Sequence, residues 1–253
     1  MVRGIEQFRL WFQDYQDSYL IIGGTACDAV LSEAGFSPRA TKDFDIILIV
    51  EALTADFVAR FWDFVKTAGY RKSEQEQEKR NAYRFSNPTD PSFPIQVELF
   101  CRKPDAIAAP PDIHLTPIPT DEGLSSLSAI LLNDDYYRFT LQHCWYKEGI
   151  HFADTVALIC LKAYAYLSNK ALRNNGANIS SVNINKHKND VFRLLPLLPA
   201  ENRIELPPAI QSDMRRFIEE IKDELPSKQL LKDAGFPNTL PEKLYKNLIY
   251  NIL

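Results

Sequence analysis

The sequence predicts an α+β protein in which a mixed sheet flanked by helices is followed by an α-helical C-terminal domain. Three observations carry that expectation. Apolar strand-like runs, "YLII" at 19–22 and "DFDIILIV" at 43–50, bracket a helix-like stretch of small and apolar residues. An amphipathic helix pattern at 54–68 then leads to further strand-like runs, "YRFSN" and "IQVELFC". After Asp154 only helical periodicity remains, which places one domain at 1–150 and a second at 151–253.

The elements follow in chain order. Ile5, Phe8, Trp11 and Phe12 recur at helical spacing, so 4–15 reads as an amphipathic helix. "SYLIIGG" is a short buried strand ending in Gly23 and Gly24. Thr25 stands near the start and Gly35 near the end of a helix over 25–34. "DFDIILIV" is apolar on both faces after its first three residues, as in a central strand. Thr54 opens and Gly69 closes the helix that carries Phe57, Val58, Phe61, Trp62 and Val65. "EQEQEKR" is a charged, solvated turn or a fraying helix end, and the proline-rich segment 104–119 is a connector with one short edge strand around "IHL". Residues 124–150 fit no single pattern. Helices are then expected at 154–169, 187–197, 208–224, 227–234 and 241–251, with the Asn-rich "NNGANISSVNINKH" as a loop.

Composition narrows the classes. A chain of 253 residues with 45% hydrophobic and 25% charged residues is an ordinary globular one, able to bury a core without disulfides. No apolar run reaches the roughly 18–20 residues of a membrane span, and the first residues do not resemble a signal peptide, so no membrane partner and a cytoplasmic location are expected. Cys27, Cys101, Cys144 and Cys160 lack CxxC spacing and read as reduced structural thiols. His114, His143 and His187 show no metal-site spacing. Residues 151–253 carry 14 Lys and Arg against 11 Asp and Glu, while 1–150 carry 15 against 22. A mildly basic second half suits a polyanion such as RNA, or is simply solvated surface.

The chemistry concentrates at the mouth of one strand. Side chains alternate faces along a strand, so Asp43 and Asp45 point the same way while Phe44 faces the opposite layer. Two carboxylates so placed repel unless a cation lies between them, and Mg²⁺ favours a few carboxylate oxygens together with water and substrate phosphate. Glu98 in "IQVELF" becomes a third acid if that strand lies alongside. Three carboxylates can hold two metal ions, the arrangement used in nucleotidyl transfer. Gly23 and Gly24, between strand and helix, let backbone N–H groups approach a triphosphate, to which Thr25 can add a hydroxyl.

These residues, "IIGGTACDAV" followed by "SPRATKDFDI", resemble the nucleotidyltransferase superfamily that includes DNA polymerase beta and the aminoglycoside nucleotidyltransferases. They are most similar to its AbiEii-like branch, toxin components of type IV toxin–antitoxin systems, through GGTA and the Arg39, Thr41, Asp43, Asp45 series. Two later segments, "LICLKAYA" and "NKHKNDVFRLL", match helical motifs of that branch, so the resemblance spans about 18–195. It implies a nucleotidyltransferase fold, an NTP substrate and Mg²⁺, two ions being expected. Asp43, Asp45 and Glu98 would be metal ligands and catalytic residues; Gly23, Gly24, Thr25 and Lys162 would bind the nucleotide. Arg39, Thr41, Lys188 and Asp190 would contact nucleotide or acceptor, Asp190 orienting the acceptor or acting as base.

Lys162 lies on a mostly apolar helix face and must either reach water or meet an anion. Lys186 and Asp190, spaced i, i+4, suit a surface ion pair equally well. Glu98 departs from the Asp usual in the superfamily. The expected activity is NMP transfer to an acceptor hydroxyl, on a tRNA-like RNA if the branch resemblance governs. The alternatives are a small-molecule acceptor of aminoglycoside type, or a non-catalytic module that binds nucleotide or a cognate antitoxin.

Overall fold

A computed structural model describes residues 2–70, 82–100, 133–199 and 203–252. The charged run at 74–80, the expected strand around 113–115, Cys101 and His114 lie outside the described residues. By internal contacts the chain divides into two units. One holds the described residues within 1–29, 40–119 and 144–153; the other holds those within 30–39, 120–143 and 154–253.

The first unit is built on a six-stranded mixed sheet. Its strands are β1 (Tyr19–Ile22), β2 (Asp43–Leu48), β3 (Ala82–Ser86), β4 (Gln96–Phe100), β5 (Cys144–Lys147) and β6 (Ile150–Ala153), in the order β3-β4-β2-β1-β6-β5. β2 pairs in parallel with β4 and antiparallel with β1. β1 and β2 have no exposed residue, as the unbroken apolar runs require of central strands.

The same unit carries α1 (Ile5–Trp11) and α3 (Ala55–Ala68). Their aromatic side chains form one cluster with Phe44: Phe8 lies 5.7 Å from Phe44 and 5.9 Å from Phe64, ring centre to ring centre. Phe8, Phe12, Phe44 and Phe64 are almost fully buried. α3 has the caps its sequence announces, with Thr54 Oγ1 accepting the Phe57 N–H and Gly69 turning left-handed at φ 61°. α2 (Gly23–Glu33) begins two residues before the expected helix, so that both glycines belong to its first turn.

Of the stretch that fitted no single pattern, 124–132 lie outside the described residues, and the rest forms α4 (Asp134–Gln142), capped by Asn133, and the β5–β6 hairpin. Glu148 and Gly149 both adopt positive φ, 49° and 85°, at the hairpin turn. Asn-Gly or Asp-Gly is the usual signature of such a turn, and Glu-Gly does not announce it.

The second unit is helical. Asp154 caps α5 (Thr155–Asn174), which is followed by α6 (Ser181–Leu194), α7 (Pro208–Ile221), α8 (Lys228–Asp233) and α9 (Pro241–Ile252). α6 begins six residues earlier than its apolar spacing suggests and takes in half of the expected Asn-rich loop. Ser180 accepts the Asn183 N–H and so supplies the cap that nucleates it. Two similar tripeptides, Ala34-Gly35-Phe36 and Ala234-Gly235-Phe236, end helices in left-handed glycine turns, and their phenylalanine rings pack 4.1 Å apart. Among the described residues no helix is long and apolar enough to cross a membrane.

Candidate functional site

Strand register assembles the acids. Parallel pairing of β2 with β4 sets Asp45 directly opposite Glu98 and Asp43 opposite Gln96, while antiparallel pairing of β3 with β4 sets Arg84 opposite Glu98. On the other side of β2, Asp45 is opposite Ile22, the last residue of β1, and the chain turns immediately at Gly23. A lateral row therefore runs across four strands: Arg84, Glu98, Asp45 and the glycine turn.

The turn is packed against the acids themselves. A Cβ on Gly23, whose φ is +65°, would fall 1.6 Å from Asp45 Oδ2, and one on Gly24 would fall 2.5 Å from Thr41 Oγ1. The close approach that demands glycine is therefore to the chain's own Asp45 and Thr41. Thr25 is buried, and its hydroxyl donates to the Asp43 carbonyl at 2.7 Å. That bond ties the first turn of α2 to the start of β2 and makes Thr25 a brace for the acids.

Glu98 is 3% exposed and Asp45 7%. Burial, and then the Asp45 carboxylate, push the Glu98 carboxyl up to about 9; Arg84 opposes this, and a hydrogen bond to Asp45 and the charge of Asp43 add to it. Glu98 Oε1 accepts from Arg84 Nε at 3.0 Å and from Gln96 Nε2 at 2.7 Å. Asp43 Oδ1 is shielded from solvent and has no hydrogen-bond partner among the described residues. Among the described residues no three His, Cys, Asp or Glu side chains already converge as a metal-binding group.

The remaining predicted residues lie in the helical unit, where three cations meet one carboxylate. Asp190 Oδ2 is 3.2 Å from Lys162 Nζ, and Oδ1 is 3.1 Å from Arg193 Nη1 and 3.5 Å from Arg39 Nε. Burial raises the Asp190 carboxyl, but Lys162, Arg39 and Arg193 together outweigh it and hold the group below the usual carboxylate range. A carboxylate so stabilised is a weak proton acceptor, which counts against Asp190 as a base. His187 lies in the same cluster with its Nδ1 unpartnered among the described residues; loss of water around the ring, reinforced by Lys162, pushes its pKa down to about 3. Lys188 donates to Glu224 Oε2 at 3.1 Å, and the same oxygen accepts from the Tyr166 hydroxyl at 3.4 Å.

Arg84, Gln96, Arg193 and Glu224 were not expected from the sequence. Gln96 shares strand parity with Glu98, and Arg193 is one helical turn from Asp190, so both left a local signal. Arg84 and Glu224 are brought in by pairing and packing over 14 and 36 residues and left none.

The fold and this row define the chain as a mixed α/β protein with an acid-lined sheet face abutting a glycine turn. No family model matches it, and no curated protein does. Among solved structures it is similar to an antigenic nucleotidyltransferase-like protein from Paracoccidioides brasiliensis, over 92% of this chain and 94% of that one, with 15% identity and a TM-score of 0.46. At that similarity no residue here acquires a role from it, and none of the comparisons links the chain to AbiEii-like toxins.

Proposed function

We propose that this protein is a Mg²⁺-dependent nucleotidyltransferase that moves an NMP group from an NTP to an acceptor hydroxyl. The observation that carries the proposal is the β2–β4 register, which sets Asp45 beside Glu98, with Asp43 two residues before it, against the Gly23 turn. The donor set fits a hard cation: every ligand is a carboxylate oxygen, and Asp43 Oδ1 is buried with no partner among the described residues. Asp43 and Asp45 would hold the ions and Glu98 would complete the set. Bound there, Mg²⁺ supplies the positive charge that polarises the phosphate under attack and stabilises the departing pyrophosphate.

The chain's own groups do the rest. The first turn of α2 presents backbone N–H groups to phosphate oxygens, with Thr25 holding that turn in place. Without a cation, burial and the Asp45 carboxylate hold the Glu98 carboxyl at about 9, so on metal binding it would first lose its proton to solvent, leaving a carboxylate able to take the acceptor's proton. Within the helical unit, Lys162, Arg39 and Arg193, which gather on Asp190, would be the side chains that meet a phosphate group of nucleotide or acceptor. For the acceptor we favour an RNA 3′ end, as the AbiEii-like motifs imply, with a cognate antitoxin as a protein partner.

Incubation with each labelled NTP, Mg²⁺ and total RNA, lysate or aminoglycosides tests this. The label should pass to an RNA band, and Asp45→Ala should abolish transfer while the thermal melt stays cooperative. Label in a dialysable small molecule would replace the RNA acceptor, and no transfer under any condition would refute the proposal.

A non-catalytic nucleotide-binding module is the second reading, favoured by the two donors already engaging Glu98 Oε1. Calorimetry would support it by showing nucleotide binding indifferent to Mg²⁺ and without turnover.

A further inference from the structure

The row of side chains contains one member without a role in metal or nucleotide binding, Arg84. Its side chain is 17% exposed, it comes from β3, and its Nε meets Glu98 Oε1 from directly across the β3–β4 pair. Gln96, two residues before Glu98 on the same face of β4, donates to the same oxygen. Two donors on one oxygen leave Oε2 free of both.

Glutamate has one more rotatable bond than aspartate, and an untethered Glu98 would sample several positions for its carboxyl. A carboxylate that ligates a metal through one oxygen is commonly held by hydrogen-bond donors on the other, and the loss of such a partner weakens metal binding 10–100-fold. We propose that Arg84 is the positioning residue for Glu98: with Gln96 it fixes Oε1 on the β3 side, so that Oε2 is the oxygen presented along the row toward Asp45. The inference rests on the nucleotidyltransferase reading of the acids. It also gives the glutamate a reason, since an aspartate at 98 would stop one methylene short of Arg84.

The charge-conserving lysine variant separates positioning from mere charge. If Arg84 acted only as a nearby positive charge, whether by repelling the cation or by helping Glu98 to ionise, lysine would replace it. If it acts by geometry, Arg84→Met and Arg84→Lys should both weaken Mn²⁺ binding to the nucleotide-free protein, by about tenfold as read by calorimetry. Gln96→Met gives an independent arm on the same oxygen, should Arg84→Met fail to melt cooperatively, and should weaken binding in the same direction. In a double-mutant cycle, Arg84→Met should lower turnover about tenfold in the natural background and less than about twofold beside Glu98→Asp, which cannot reach it.

Unchanged or tighter Mn²⁺ binding in Arg84→Met, or losses that multiply in the cycle, would overturn the role of Arg84 alone. Wild-type protein with no saturable Mn²⁺ binding sensitive to Asp45→Asn would overturn the nucleotidyltransferase reading, and this inference with it.

Discussion

Gly23 and Asp45 approach each other so closely that a single methyl group on the glycine would lie 1.6 Å from a carboxylate oxygen. The strand that precedes the turn and the strand that carries the acid are adjacent and in register, so neither can retreat without breaking the pair. Gly23→Ala is therefore expected to displace Asp45 and to strain a backbone at φ +65°. The stability loss should be about 1–3 kcal/mol in urea melts, with loss of divalent cation binding. A variant as stable as the natural protein, with cation binding intact, would show that the turn can move.

Glu98 should trade stability against activity. Its ordinary value of 4.5 rises to about 9 in the folded protein, so the stability it lends is fully present below about 4.5 and is lost as pH climbs toward 9. Glu98→Gln keeps a donor and an acceptor in the same place and never ionises. In cation-free buffer it should match the natural protein near pH 4 and exceed it by roughly 1–3 kcal/mol at pH 7. Transfer should fall by about 100-fold or more. Lower stability of the variant at pH 7 would mean that Glu98 is ionised and compensated.

Asp190 is expected to matter through the cations it gathers. Asp190→Asn leaves Lys162, Arg39 and Arg193 without their shared counter-charge, which should cost about 3 kcal/mol at pH 7. Because its folded value is lowered, its contribution is present above the unfolded value near 3.8 and disappears as pH falls through the folded one. Melts of the two proteins should therefore converge in strong acid.

His187 should make the protein sensitive to acid in the same direction, over a higher pH window. Its folded value of about 3 lies below the ordinary 6.5, so the folded state keeps its advantage above 6.5 and loses it as pH drops toward 3. His187→Leu should flatten the fall in melting temperature across that window. An unchanged slope would place the acid sensitivity elsewhere.

Strand faces and helix caps were legible because they are local. The two-residue period of a strand was enough to set Asp43 and Asp45 on one face and Phe44 on the other, among Phe8 and its aromatic neighbours. Thr54 and Gly69 announced both ends of α3 because capping is chemistry between residues three or four apart. The β5–β6 hairpin was not legible, because Glu-Gly occupies a turn that favours Asn-Gly or Asp-Gly. The early start of α6 was hidden because its first turn is polar and depends on the Ser180 cap.

The sequence by itself determined an α+β chain, the strand that carries two acids, the glycines before it and the helical second half, since periodicity and caps act over a few residues. Tertiary structure alone decided that Glu98 stands opposite Asp45, that Arg84 donates to one of its oxygens, and that Gly23 must lack a side chain to make room for a carboxylate. Those relations depend on which strands pair and in what register, and pairing is settled by burial of the whole sheet rather than by any short stretch of chain.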